Sequence, residues 1–269
     1  MAYVEWGDPN NSRVLLCVHG LTRCGRDFDF LAQQLAGDYR VVCPDVVGRG
    51  RSEWLADKSL YDIPQYVEDM RTLLTHIGVE QVHWLGTSMG GLIGMEMAAG
   101  EDSPISRLVL NDVGPVLTAA SIARIGQYVG MTPHFADYAQ IEAFVRMVSA
   151  PFGSLDDAQW RHLTEHVVMQ DTAGQWLFKY DPGIAVPFRA AVEGNGAGGD
   201  LTRWPQYDAI RCPTLVVRGE SSDLLTRETV AEMSRRGPQA LSVELPGVGH
   251  APMFLDAAQV AVVRDFLLG

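Results

Sequence analysis

Short apolar runs rich in Val, Leu and Ile alternate along this chain with longer stretches whose apolar residues recur at intervals of three and four. The short runs predict strands over 2–6, 14–18, 39–44, 82–85, 108–110, 214–218 and 241–245. Several, such as Val14-Leu15-Leu16-Cys17-Val18, are apolar at every position, as parallel strands are when helices cover both faces of their sheet. The longer stretches predict helices over 28–35, 63–77, 90–99, 227–235 and 257–267. Within 63–77, the positions Val67, Met70, Leu73, Leu74 and Ile77 form one amphipathic stripe. Alternating strands and helices predict an α/β fold, with a mostly parallel central sheet and crossover helices on both faces.

The alternation stops between 113 and 207. Helix-like segments fill that stretch at 121–128, 138–149 and 156–168, with no buried strand evident. A structureless loop of that length does not suit a compact domain. The pattern therefore predicts a core domain of residues 1–112 and 208–269, with 113–207 inserted as a helical cap. A glycine-rich run at 194–199 predicts a hinge or a disordered tip.

One strand-to-helix junction carries candidate chemistry. Gly86-Thr87-Ser88-Met89-Gly90 reads G-x-S-x-G, directly after the run 82–85 and at the start of the next predicted helix. A tight turn there lifts the Ser88 hydroxyl above the sheet, at a helix N-terminus that favours developing negative charge. Serine needs a base within hydrogen-bond reach, and the base needs a carboxylate to orient it. Of the seven histidines, His250 lies in the glycine-flanked loop after the last predicted strand. Loops at the carboxyl ends of parallel strands share one crevice, so His250 is the predicted base. The predicted acid is Asp223, which follows the strand at 214–218; Asp112, after the strand at 108–110, is the rival. Acyl transfer also needs donors aimed at an oxyanion. The backbone N–H groups of Met89, next to the serine, and of Leu21, in Val18-His19-Gly20-Leu21-Thr22, are the candidates. His19 is read as a group that holds this loop.

Composition narrows the partners. The chain has 269 residues, 47% of them hydrophobic, which is enough for one large core carrying an insertion. Mean hydropathy is +0.01 and no apolar run is long, which predicts a soluble protein without a transmembrane span. The first residues lack the basic and apolar regions of a secretory signal. A net charge of −12, spread without blocks, disfavours nucleic acid and anionic membranes as partners. Cys17, Cys24, Cys43 and Cys212 form no C-x-x-C pair, and reduced thiols in a cytoplasmic protein are expected. His162 and His166 stand four apart, as metal ligands on a helix do, but no third ligand is evident and no metal is predicted.

Taken together, His19-Gly20-Leu21, the turn at 86–90 and Gly249-His250 make the chain resemble the α/β-hydrolase superfamily across essentially its whole length. The segment from Asp45 to Ser52 resembles that family's D-x-x-G-x-G-x-S loop, which implies structural roles for both residues. The order Ser88, Asp223, His250 is the order expected of the family. The resemblance implies the α/β-hydrolase fold and cofactor-free hydrolysis of a small, largely apolar ester or lactone through an acyl-enzyme on Ser88. A serine nucleophile disfavours haloalkane dehalogenase and epoxide hydrolase activity, which use aspartate. The Ser-Met-Gly-Gly run is similar to that of C–C bond hydrolases acting on meta-cleavage products and of enol-lactonases. The loop at Leu21 lacks the glycine-richer run of the C–C hydrolases, so ester or lactone hydrolysis ranks first. C–C cleavage, perhydrolase activity and ligand binding without turnover are the alternatives. Cap aromatics, with Tyr128, Phe144, Tyr180 and Trp204 foremost, are the expected pocket wall.

Overall fold

A computed structural model describes residues 1–194 and 199–269. The chain opens with β1 (Tyr3–Trp6), β2 (Val14–Val18), α1 (Asp29–Leu35), β3 (Arg40–Pro44) and α2 (Ile63–His76). It continues through β4 (Val82–Thr87), α3 (Met89–Ala99) and β5 (Ile105–Asn111). A segment without strands of the main sheet follows: β6 (Val116–Leu117), α4 (Ala119–Gly126), α5 (Tyr138–Val148), α6 (Asp157–Glu165), β7 (Val168–Gln170) and β8 (Trp176–Phe178). It ends with α7 (Ala185–Gly194), β9 (Leu201–Thr202) and α8 (Trp204–Ala209). The sheet resumes with β10 (Thr214–Gly219), α9 (Arg227–Met233), β11 (Leu241–Leu245) and α10 (Ala257–Leu268).

Seven strands form one sheet in the order β1-β3-β2-β4-β5-β10-β11. Only β1 runs antiparallel to its neighbour; the other pairings are parallel. The wholly apolar strands follow from covering both faces. Leu16 and Val18 face a cluster with Met70 and Leu73 of α2 and Ile93 of α3. Leu15 and Cys17 face the opposite cluster, with Leu31 of α1 and Val263 of α10. Each fully buried Leu or Val here contributes roughly 1.5–3 kcal/mol. Helix ends follow local signals: the Asp62 side chain accepts from the Gln65 N–H at the start of α2, with Pro64 in its first turn.

The expected α/β architecture is therefore the observed one, with differences inside 113–207. The helix expected over 156–168 ends at Glu165, and the chain turns into the antiparallel β7–β8 hairpin. A second short antiparallel pair joins β6 to β9. Both strands of β7–β8 are three residues long, too short for alternation to mark them. The segment is stitched to the core by Gly50 N–H donating to the Lys179 carbonyl (3.0 Å) and Asp181 N–H donating to the Gly48 carbonyl (2.8 Å). The hinge expected at 194–199 falls largely on 195–198, outside the described residues. Among the described residues no helix is long and apolar enough to cross a membrane.

Candidate active site

Ser88 stands between the last residue of β4 and the first of α3, with φ 52° and ψ −114°. A side-chain-bearing residue in that conformation is strained, and it persists because its surroundings fix it. The Ser88 N–H donates to the Asn111 carbonyl (3.0 Å), while its own carbonyl accepts from Gly91 (2.9 Å) and Leu92 (3.1 Å). The flanking glycines are required by close approach. A Cβ on Gly90 would collide with the Val18 carbonyl, and one on Gly86 with the Gly90 carbonyl. Trp84 Nε1 donates to that Gly90 carbonyl at 3.0 Å, pinning the start of α3 to the strand.

His250 reaches the serine from the loop after β11. Its Nε2 lies 3.1 Å from Ser88 Oγ, and its Nδ1 lies 2.7 Å from Asp112 Oδ2. The carboxylate fixes the tautomer: Nδ1–H donates to Asp112, leaving Nε2 to accept from the serine hydroxyl. The expected acid was Asp223, and the geometry corrects that expectation. Asp223 has a half-exposed side chain and pairs with Arg124, whose Nε lies 2.5 Å from Asp223 Oδ2. Asp112 is fully buried and turns the chain at the end of β5 with φ 53°. Its Oδ1 accepts from the Gly219 N–H (2.8 Å) and its Oδ2 from the Ser222 hydroxyl (2.6 Å). The loop after β10 thus supplies donors to Asp112, not a carboxylate to His250.

Two supporting residues had no clear mark in the sequence. Asn111 Nδ2 donates to Thr87 Oγ1 (2.9 Å) and to the Pro252 carbonyl (2.8 Å), tying the serine turn, the acid strand and the histidine loop together. Ser222 holds Asp112 and also accepts from the Leu225 N–H at 3.1 Å. A polar pair, Asn111-Asp112, closing an apolar strand was the available signal.

Leu21 and Met89 both line the cavity beside Ser88. Among the described residues neither backbone N–H donates to a protein acceptor. Behind them, buried His19 donates from Nδ1 to the Gly20 carbonyl (2.7 Å) and accepts at Nε2 from the Val46 N–H (2.9 Å). Burial pushes its pKa down to about 4, so it stays neutral and holds the loop. Asp45 accepts from the Gly25 (2.8 Å) and Arg51 (2.9 Å) N–H groups, and Ser52 Oγ donates to the Asp45 carbonyl (2.5 Å). Both are structural groups.

The cavity above Ser88 has a volume of ≈ 490 Å³. Tyr128, Phe144 and Tyr180 line it with Leu92, Ile125 and Phe188. Trp204 does not: its ring packs edge-on against Tyr207 (5.8 Å) under the Arg236 guanidinium (4.3 Å), where α8 returns to α3. An aromatic residue marks buried surface, and sequence does not say which cavity it faces. Arg23, Arg124 and Arg203 reach the wall, and each is paired with a carboxylate of this chain, Asp27, Asp223 and Glu96 respectively.

The structure adds Asp29 to His162 and His166, with one donor atom of each within 4.8 Å of the others. Three of their polar atoms are engaged, while Asp29 Oδ1 is buried without a hydrogen-bond partner among the described residues. Asp29 Oδ2 accepts from Arg26 Nε (2.6 Å), His162 Nε2 donates to the Arg26 carbonyl (3.0 Å) and His166 Nδ1 to the His162 carbonyl (2.8 Å). The His162 bond to the Arg26 carbonyl ties α6 to the turn that precedes α1. All four cysteines are free, and burial pushes the Cys24 and Cys43 thiols up, away from thiolate reactivity.

The sequence model of the alpha/beta hydrolase family matches residues 15–264. A 3-hydroxybutyrate-oligomer hydrolase from Cupriavidus necator is 54% identical over 272 residues, covering 100% of this chain and 93% of that protein. A pimeloyl-[acyl-carrier protein] methyl ester esterase from Aeromonas salmonicida is 26% identical, covering 94% of each. The crystal structure of an alpha/beta hydrolase from Novosphingobium aromaticivorans is 37% identical with a TM-score of 0.87, covering 99% of this chain and 93% of that one. The match spans nearly the whole chain and the sheet has the expected architecture: this protein is a hydrolase belonging to the alpha/beta hydrolase family.

Proposed function

We propose that this protein cleaves short linear esters of hydroxyalkanoic acids, of the 3-hydroxybutyrate-oligomer type, through an acyl-enzyme on Ser88. The protein is an ester hydrolase. The observation that carries the mechanism is the unbroken chain Ser88 Oγ–His250 Nε2 (3.1 Å) and His250 Nδ1–Asp112 Oδ2 (2.7 Å) at the floor of a largely apolar cavity. The substrate class is supported by the 54% identical relative.

In the first half-reaction His250 Nε2 takes the Ser88 proton as Oγ attacks the ester carbonyl carbon. The carbonyl oxygen becomes an oxyanion between the N–H groups of Leu21 and Met89. The intermediate collapses, the ester C–O bond breaks, and the alcohol leaves with the proton from Nε2. Water then repeats the sequence on the acyl-enzyme and releases the acid. Asp112 holds the imidazole. The segment 113–207 acts as a cap, with Tyr128, Phe144 and Tyr180 shaping the acyl and alcohol subsites. Free thiols support a reducing, cytoplasmic location. No cofactor enters these steps.

The test is hydrolysis of p-nitrophenyl butyrate and of linear 3-hydroxybutyrate dimer and trimer by wild-type protein and Ser88→Ala. The expected result is release of 3-hydroxybutyrate by the wild type and a loss of about 10⁴-fold or more in the variant. A folded wild-type protein inert on both ester classes would contradict the proposal. Turnover confined to vinylogous diketones would move the reading to C–C hydrolysis, and turnover confined to lactones would replace the linear substrate.

A further inference from the structure

We propose that Arg49 is a positioning residue for the oxyanion site, holding Leu21 and Met89 in register and supplying a positive field where the tetrahedral oxygen forms. The inference rests on Ser88 being the nucleophile. The Arg49 side chain is wholly buried, directly behind the cavity wall. Its Nε donates to the Leu21 carbonyl at 2.8 Å, and its Nη2 lies 3.4 Å from Met89 Sδ. One guanidinium therefore spans the two residues proposed as the oxyanion donors. Its Nη1 donates to the Val47 carbonyl (2.8 Å) and the Tyr66 hydroxyl (2.9 Å), which fixes the plane of the fork. The Tyr61 and Tyr66 rings lie 5.6 and 5.0 Å from its central carbon.

Among the described residues no carboxylate forms an ion pair with Arg49. Asp45, four residues before it, is occupied by the Gly25 and Arg51 amides and pairs with the Arg51 side chain. A buried cation held only by neutral acceptors and aromatic faces is costly, and an aliphatic side chain would fill the space more cheaply. Such a charge is repaid where negative charge appears transiently nearby, because a low-dielectric, preorganised field needs no rearrangement at the moment of reaction. The loop around Arg49 is built for fixed placement: Asp45 and Ser52 brace it from within, and Lys179 and Asp181 bond it from the inserted segment. Lysine cannot replace the fork, since a point charge cannot engage the Leu21 carbonyl and Met89 Sδ together in fixed geometry.

The experiment compares wild type, Arg49→Met, Arg49→Lys and Ser88→Ala on p-nitrophenyl butyrate. It also measures binding of a trifluoromethyl ketone, which adds to the serine and forms an oxyanion, and of the matching methyl ketone, which binds without adding. For Arg49→Met the expected result is a kcat loss of about 10²-fold with KM within about threefold. Trifluoromethyl ketone affinity should fall in parallel while methyl ketone affinity holds. Arg49→Lys should fold and lose about tenfold in kcat with the same split. Either folded variant retaining kcat and trifluoromethyl ketone affinity within about twofold overturns the proposal, as does equal weakening of both ketones. If Arg49→Met does not fold, Arg49→Lys decides by the same criteria. Activity surviving in Ser88→Ala would instead overturn the nucleophile assignment.

Discussion

The chain carries an aspartate after each of the adjacent parallel strands β5 and β10, and the two carboxylates sit in opposite environments. Asp112 has no exposed surface and accepts from Gly219, Ser222 and His250. Asp223 has 53% of its side chain exposed and meets Arg124. An exposed ion pair is screened and contributes about 0–1 kcal/mol. A carboxylate surrounded by fixed donors and shielded from water interacts far more strongly with an imidazolium formed during reaction. What separates the carboxylate that meets His250 from the surface one is desolvation plus donors, and neither is a property of the residue type or of its place after a strand.

The largest expected effect breaks this comparison directly. Asp112→Asn should lose about 10⁴-fold in kcat, because the amide offers the wrong partner to Nδ1–H, while Asp223→Asn should stay within about threefold. Steady-state ester hydrolysis by both variants checks it; equal losses would erase the distinction.

A third strand end extends the contrast to stability. His19, after β2, is fully buried with its pKa lowered to about 4 from 6.5. Between those values the unfolded chain takes up a proton that the folded chain refuses. Folding stability therefore falls as pH drops from 6.5 towards 4, and the full effect is about 3 kcal/mol. Burial also pushes His83 down to about 4, which acts in the same window. Urea unfolding at pH 7.5 and pH 5 should show a drop that His19→Asn reduces by about 2 kcal/mol. An unchanged pH slope in the variant would remove His19 as its source.

A smaller effect tests the cradle of Asp112. Ser222→Ala removes one donor to the carboxylate and should reduce kcat about tenfold, with a stability loss of about 1–2 kcal/mol. Full activity would show that Gly219 alone suffices. The smallest effect belongs to the rim. Arg124→Gln should change unfolding free energy by less than about 1 kcal/mol and kcat by less than about threefold, and any change should appear in KM. A kcat loss above tenfold would place the Arg124–Asp223 pair in the chemistry.

The meeting of Ser88 and His250 was legible because its signals are local: glycines that only a tight approach requires, and a glycine-flanked histidine after the last strand. The sheet was legible because strands covered on both faces carry continuous apolar runs, as in all of β2 and in Leu215–Val217 of β10. The acid was not, since both candidates follow strands and chain order fits either. Trp204 was misplaced because α8 buries it against the core body. Arg49 left no trace because hydropathy treats a buried arginine as surface, and the bonds that hold it come from residues distant in sequence, such as Leu21, Tyr66 and Met89.

The measurement that most directly tests the account is the proton resonance of His250 Nδ1–H, assigned by ¹⁵N-histidine labelling, in wild type, Asp112→Asn and Asp223→Asn. A proton in a short hydrogen bond to a carboxylate is strongly deshielded. The account predicts a far-downfield signal that persists in Asp223→Asn and vanishes in Asp112→Asn. Loss of the signal in Asp223→Asn, with retention in Asp112→Asn, would contradict it.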